Sequence, residues 1–431
     1  MGRKKKIKEE KNVKSEEVKE PKIEITETPK QIEQLAKPKK AVSDLMADLL
    51  KVSGNKEASN VGDEGTVGDV VEYTHTGCYL LNAQISGTVF GGLPNSNILT
   101  LAGQSSTGKT FFVISIIAEF LKNNPDGIVC IFDSENAINK SRLKARKVDI
   151  NRVNYYPVGS LMEFQSQIIK VLDKLNTEYK VGSAKFLFVL DSLGNLPSEK
   201  EVTDAKKGED VVDFTKTKRV RSIFRTVTVK LSKHKIPMIV TNHSYTNIMA
   251  YGAPQVMSGG GGIQFASDYI LMLTKAKDKD KDGNITGAIV TSKAIKNRDA
   301  KENSWIKILI SYSHGLHPYY GLLPYAVKAG IIKQITKENS EEKKKGTGAD
   351  KLLEDSDGKK KKKSKKSYEF NGVVYKNEAE LYRNSDVIFT RDTLEKIDKA
   401  LAFNFNYGVY EGDDGFVVEE DEDEENESKD E

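Results

Sequence analysis

Gly103, Gln104, Ser105, Ser106, Thr107, Gly108, Lys109 and Thr110 form an unbroken G-x-x-x-x-G-K-T run. These residue types at this spacing suit one task, holding the phosphates of a nucleoside triphosphate. Glycines let the backbone wrap an anion with its N–H groups turned inward. Lys109 is then placed to reach the β- and γ-phosphates, and the Thr110 hydroxyl to hold Mg²⁺. The apolar run Ile98-Leu99-Thr100-Leu101-Ala102 precedes the loop, and a helical pattern over residues 111–122 follows it. A strand that delivers the loop and a helix N-terminus that receives the phosphates are what the chemistry requires.

Three more strand ends carry reactive side chains. Phe186-Leu187-Phe188-Val189-Leu190-Asp191 ends in an acid that can hold Mg²⁺ through water, with Ser192 beside it. Its bland alternative is an aspartate that caps a helix. Ile131-Phe132-Asp133-Ser134-Glu135 ends in two acids; Glu135 is the candidate base for an attacking water and Asp133 the second choice. Pro237-Met238-Ile239-Val240-Thr241-Asn242-His243 ends in polar groups suited to sensing a γ-phosphate. A long loop, residues 244–262, follows them and ends in Gly259, Gly260, Gly261 and Gly262; loops of this length inside a domain are usually functional or disordered.

The elements that must position these groups alternate along the chain. Short apolar runs at residues 98–102, 128–132, 186–190, 237–241 and 269–273 are separated by helical patterns at 111–122, 161–175 and 214–234. Continuously apolar strands between helices indicate an α/β fold, a mainly parallel sheet covered on both faces. Residues 288–295 and 305–312 extend the sheet, and 322–332 read as a closing helix. The division is a basic arm at 1–40, a helix and linker at 41–69, an ATPase core at 70–335, a Lys-rich charged linker at 336–367, a small α+β module at 368–412 and an acidic tail at 413–431. In the module, Asn371-Gly372 reads as a hairpin turn and residues 381–405 as one helix. The helix at 41–52 is amphipathic and too short to stand alone, so it is expected to dock on another surface, a neighbouring subunit being one candidate.

At 431 residues, 38% hydrophobic and 30% charged, the chain has room for a large core. Its net charge of +4 hides uneven ends: residues 1–40 hold 13 Lys and Arg against 8 Glu, and the tail is almost wholly acidic. Cys78 and Cys130 make no disulfide framework. With no apolar stretch near the ~20 residues of a membrane span and no apolar signal core, a soluble, cytoplasmic protein is expected. Residues 278–289 imitate the start of a calcium-binding loop, but position twelve is Ile289 rather than a bidentate Glu. They read as a polar turn between strands.

Considered as a set, these motifs are similar to those of the RecA-type homologous recombinases over roughly residues 71–333. The resemblance rests on residues 86–92 leading into the phosphate loop, on Phe132-Asp133-Ser134-Glu135, on Leu190-Asp191-Ser192-Leu193-Gly194-Asn195-Leu196, on Asn242-His243-Ser244-Tyr245, and on the glycines before Asp268. It implies a RecA-like ATPase that forms helical homo-oligomeric filaments on single-stranded DNA and pairs that strand with homologous duplex DNA, with ATP and Mg as cofactors. It further implies Glu135 as catalytic glutamate beside Lys109, and Asn242 and His243 as γ-phosphate sensors. Two DNA-holding loops fall at 197–213 and 244–262. Lys200, Lys206 and Lys207, then Arg219 and Arg221 on the following helix, are candidates to neutralise phosphate. Tyr245, Tyr251, Gln255 and the four glycines are candidates in the second loop. Lys296 and Arg298 look like cations that reach the adjacent subunit's ATP. Where the family places an adenine-stacking aromatic, seven residues after the glutamate, this chain has Arg142, whose guanidinium plane can stack instead. A single-strand-binding protein and a recombination mediator are the implied protein partners. A ring helicase or DNA motor on the same core, and an ATP-switched DNA-coating accessory without turnover, remain open alternatives at this point.

Overall fold

A computed structural model of the chain describes residues 40–55, 58–62, 70, 72–178, 184–208, 213, 215–246, 255–258, 261–279, 283–335 and 366–408. It divides into two units, Met1–Thr66 and Val67–Glu431. In the first, helix α1 (Lys40–Val52) matches the expected amphipathic pattern. Its Val42, Leu45, Met46 and Leu49 side chains form the apolar stripe and are exposed.

The second unit begins with a short ladder of β1 (Tyr73–Thr74) and β2 (Leu93–Pro94), with α2 (Tyr79–Ser86) between them. The main sheet is built from β3 (Ile98–Gly103), β4 (Ile128–Asp133), β5 (Val153–Pro157), β6 (Phe186–Asp191), β7 (Met238–Thr246), β8 (Gln255–Met257), β9 (Tyr269–Lys279), β10 (Ile285–Lys296), β11 (Trp305–Ser311) and β12 (Gly315–Leu316). Their order is β12-β11-β10-β9-β3-β7-β6-β4-β5, with β8 paired to β7. From β9 through β3, β7, β6 and β4 to β5 all neighbours are parallel. The β9–β12 ladder is antiparallel. β9 ends at Lys279 and β10 begins at Ile285, and the centre of the expected polar turn, residues 280–282, lies outside the described residues.

Strand residues alternate between two faces. Leu187 and Val189 of β6 join an apolar cluster with α2 and α3 (Lys109–Asn123), whereas Phe188 and Leu190 join a second one. The second is covered by α5 (Leu161–Glu178), which follows α4 (Lys140–Ala145). It contributes Leu161, Phe164, Ile168, Leu172 and Leu175, one stripe at helical spacing. Phe132 sits at its centre, its ring centroid 5.0–6.0 Å from those of Tyr156, Phe164 and Phe188.

Several expectations are corrected. The first loop region holds a helix, α6 (Glu199–Lys207), opened by a reciprocal capping box between Ser198 and Glu201 and closed by Gly208. Helix α7 (Lys216–His234) then packs on α5. The second loop starts and ends as a ribbon: β7 runs to Thr246 and pairs antiparallel with β8, Ser244 opposite Met257. Helix α8 (Gly262–Ala266) follows. The closing helix shrinks to α9 (Leu323–Lys328), with Pro324 in its first turn.

The C-terminal segment differs most from its expected independence. After β13 (Lys333–Ile335), strands β14 (Ser367–Phe370) and β15 (Val373–Tyr375) form the expected hairpin. Asn371 and Gly372 both take positive φ, +50° and +79°, as a type I′ turn requires. The single helix of 381–405 is three: α10 (Glu378–Arg383), α11 (Ser385–Ile388) and α12 (Arg391–Phe405), the last capped by the Thr390 side chain. Their Leu381, Ile388, Leu394, Ile397, Leu401 and Phe405 belong to the same apolar cluster as α2 and α3. Asp398 accepts from Val89 N at 2.7 Å and Thr88 Oγ1 at 2.9 Å. Some forty residues bury too little surface alone, so this segment completes the core rather than standing as a module.

Leu401→Ala is therefore expected to destabilise the whole second unit, by about 2–5 kcal/mol for a buried leucine. Urea unfolding followed by circular dichroism should show one shifted transition, not a new early one.

Candidate functional site

The phosphate loop spans from the end of β3 to the start of α3. Gly108 has φ +104°, a conformation closed to most side chains, and it swings the chain into the helix. Gln104, Ser105 and Ser106 are exposed, whereas Thr107 is buried with its hydroxyl on Gln104 O at 2.9 Å. Lys109 is only 7% exposed, and its Nζ donates to Gly103 O at 2.9 Å and Gln104 O at 3.0 Å. The ammonium is thus folded over the loop whose anion it would bind. Burial lowers its pKa, against the opposing charges of Glu135 and Asp191.

Parallel register brings the other groups to the same edge. Gly103 lies opposite His243, and Asp133 opposite Asp191. The Thr110 hydroxyl donates to Asp191 Oδ2 at 2.9 Å, and the Thr241 hydroxyl donates to Asp191 Oδ1. Burial pushes the Asp191 carboxyl upward, and Glu135 and Asp133 add to this, while the two threonine bonds oppose it. A hydroxyl and a carboxylate in contact are the hard oxygen donors a Mg²⁺ ion takes. Thr241 was not among the sequence candidates; its position two residues before His243 at a strand end is the signal that could have found it.

Glu135 is half-buried, and its Oε1 accepts from Ser192 Oγ at 2.5 Å and pairs with His243 Nε2 at 2.7 Å. Burial raises its pKa, but the Ser192 and His243 bonds, with the charges of His243 and Lys109, carry it below the ordinary carboxyl value. It stays ionised and able to accept a proton. Asp133, the second choice, is corrected: it is buried and accepts from Glu135 N, Ile138 N and Tyr155 OH at 2.8–3.1 Å. It shapes the turn that presents Glu135.

The two γ-phosphate candidates part company. His243 faces Glu135, whereas buried Asn242 donates to Ser258 O at 3.0 Å, across to the end of β8. Arg142 lies on α4, exposed, its guanidinium turned back to Ala137 O. One turn later Arg146 stacks on Phe111, 4.0 Å from the ring centroid.

Among the DNA candidates, Lys200, Lys206 and Lys207 are exposed on α6, and Arg219 pairs with Glu199 at 3.7 Å. Arg221 stacks on exposed Phe265 at 3.8 Å. Tyr245 is exposed; Gln255 bonds to Ser244 and Thr246 within the ribbon. Gly261 caps α8, and Gly262 is buried so close to α7 that a Cβ would stand 2.8 Å from Thr217 O. Gly262 thus lets α8 approach α7 closely. Tyr251, Gly259 and Gly260 lie outside the described residues. Lys296 Nζ donates to Gln264 O at 2.9 Å, and Arg298 pairs with Asp268 at 3.1 Å, so both cations are tied to α8 and its exit.

Removing the Lys109 ammonium should weaken triphosphate binding by about ten- to a hundredfold, the worth of one or two charge-assisted bonds. Titration of Lys109→Ala with a fluorescent ATP analogue measures this; unchanged affinity would place the nucleotide elsewhere.

A family model described as the RecA N-terminal domain matches residues 40–317. The chain is 31% identical over 291 residues to the recombination and repair protein of Enterobacteria phage T4, covering 68% of this chain and 72% of that protein. It is 25% identical to protein RecA of Paracoccus denitrificans, covering 68% and 79%. To protein RecA of Chlorobium chlorochromatii (strain CaD3) it is 28% identical, covering 66% and 77%. With the phosphate loop, the acid-tipped strands and this match over more than half its length, the chain belongs to the RecA family, as a RecA-type recombinase.

Proposed function

We propose that the chain assembles on single-stranded DNA as a helical filament, hydrolyses ATP under stimulation by that DNA, and pairs the bound strand with homologous duplex. RecA-family recombinases bind DNA, self-oligomerise and are DNA-dependent ATPases. The observation that carries the reading to these residues is the Glu135 carboxylate, held by Ser192 and His243 at the strand edge that also bears Lys109 and Asp191.

In this mechanism the loop N–H groups and Lys109 bind the β- and γ-phosphates. Thr110 and Asp191 would hold Mg²⁺, which supplies charge neutralisation at those phosphates when bound. Glu135, kept ionised by its Ser192 and His243 partners, takes the proton of the attacking water. His243 exchanges Glu135 for the γ-phosphate when ATP is bound. That movement is coupled to the second DNA loop, because His243 O accepts from Ser258 N at 2.7 Å and Asn242 holds Ser258 O. Lys200, Lys206, Lys207, Arg219 and Arg221 supply phosphate contacts that do not read sequence, while base pairing provides specificity. Lys296 and Arg298 reach the adjacent subunit's ATP, making turnover depend on assembly. A single-strand-binding protein and a recombination mediator are the proposed protein partners.

Single-stranded DNA should raise ATP turnover many-fold. Glu135→Gln should lower kcat by about 10²–10⁴, the range for a lost general base, and still form filaments with ATP visible by electron microscopy. Closed rings, or no response to DNA, would refute the reading.

Arg298→Ala should bind ATP normally but lose about 10³ in turnover, as for other cations acting in trans. Mixing it with Glu135→Gln should restore activity, since each subunit then supplies what its neighbour lacks. If the mixture stays inactive, the cation acts within its own subunit.

A further inference from the structure

Two side chains hold the Glu135 carboxylate, and they are anchored differently. His243 is half-buried on β7, which runs on into the ribbon with β8. Ser192 is fully buried. Its backbone N–H donates to Ser134 Oγ at 3.0 Å, Ser134 Oγ donates to Ser192 O at 2.8 Å, and Ser134 N donates to Asp191 O at 2.8 Å. These bonds extend the β4–β6 ladder past its last residues and lock the Ser134-Glu135 segment to Asp191-Ser192. A serine hydroxyl has one proton, and with Oγ 2.5 Å from an ionised carboxylate that proton is committed to Glu135. The dipeptide Asp191-Ser192 therefore orients two carboxylates at once: Asp191, its own, beside Thr110, and Glu135, across the ladder.

We infer that Ser192 is the positioning residue for Glu135, keeping the carboxylate aimed at the attacking water after His243 has left it for the γ-phosphate. The inference rests on the assignment of Glu135 as general base. His243 is the exchangeable partner and Ser192 the permanent one. Without the hydroxyl, Glu135 would be correctly placed only while His243 blocks it, and free to rotate once nucleotide releases it. Misplacing a catalytic group by about 1 Å costs on the order of a hundredfold. The loss should fall on kcat and not on nucleotide binding, because Lys109, Thr110 and Asp191 are untouched.

The test is steady-state ATP hydrolysis on single-stranded DNA by full-length wild type, Ser192→Ala, Ser192→Thr and Glu135→Gln, with thermal unfolding and fluorescent-nucleotide binding measured on each. Ser192→Ala is expected to lower kcat about ten- to a hundredfold, with KM and nucleotide affinity within about twofold of wild type. Ser192→Thr, which keeps the hydroxyl, should recover most of the loss. Wild-type kcat in Ser192→Ala, an equal loss in nucleotide affinity, or a loss that Ser192→Thr fails to recover would overturn the inference. Wild-type turnover in Glu135→Gln would instead remove the general-base assignment itself, whatever the Ser192 variants do. An inactive Glu135→Gln beside a fully active Ser192→Ala would leave that assignment standing and reject only the role of Ser192.

Discussion

Parallel pairing of β3, β7, β6 and β4 is the constraint on which the rest of the molecule depends. Gly103, His243, Asp191 and Asp133 are far apart in the chain, yet each is the last or nearly the last residue of its strand to enter the ladder. Because parallel strands all end at one edge, the Gly103–Thr110 loop, Asp191, Glu135 and His243 are delivered to one crevice without any loop having to find it. The two apolar clusters, one on each face, hold this register: a slip of one residue would exchange Leu187 and Val189 with Phe188 and Leu190 and turn both cores inside out.

At that edge three carboxylates lie close together, and their surroundings separate their tasks. Asp133 is surrounded by donors and serves as a turn brace. Asp191 is buried between two threonine hydroxyls, and desolvation raises its pKa. Glu135 is less buried, and its serine and histidine partners outweigh desolvation, so it remains a carboxylate. Different environments for like groups are how one site distributes distinct acid–base roles. The same crevice connects outward. A Cβ on Gly194 would stand 2.9 Å from Asn242 Oδ1 and 3.2 Å from His243 Cδ2, so the turn after β6 packs directly on these two residues. The segment leading to α6 and the ribbon of β7 and β8 therefore meet at Asn242 and His243.

Much of the architecture was legible because its signals are local. Buried strands read as continuous apolar runs, α5 as a helical stripe, and Asn371-Gly372 as a hairpin turn. Helix α6 was also legible, in Ser198 and Glu201, but a strongly charged stretch reads as loop when its capping pair is passed over. The break of 381–405 into three helices could not be read from spacing, since the apolar positions continue through Asn384 and Phe389. Nor could the merging of the C-terminal segment with α2 and α3, which depends on Asp398 meeting Thr88 and Val89 some 310 residues earlier.

By itself the sequence determined the phosphate loop, the acid-tipped strands and the order of the elements, because each follows from residue types within a few positions of one another. Tertiary structure alone decided which side chains became partners. It turned His243 to Glu135 and Asn242 to Ser258, gave Thr241 to Asp191, buried Asp133 as a brace, laid Arg146 on Phe111 and brought Ser192 onto Glu135. These pairings depend on strand register and on which face each residue presents, and both are set by packing between segments that the chain order keeps apart.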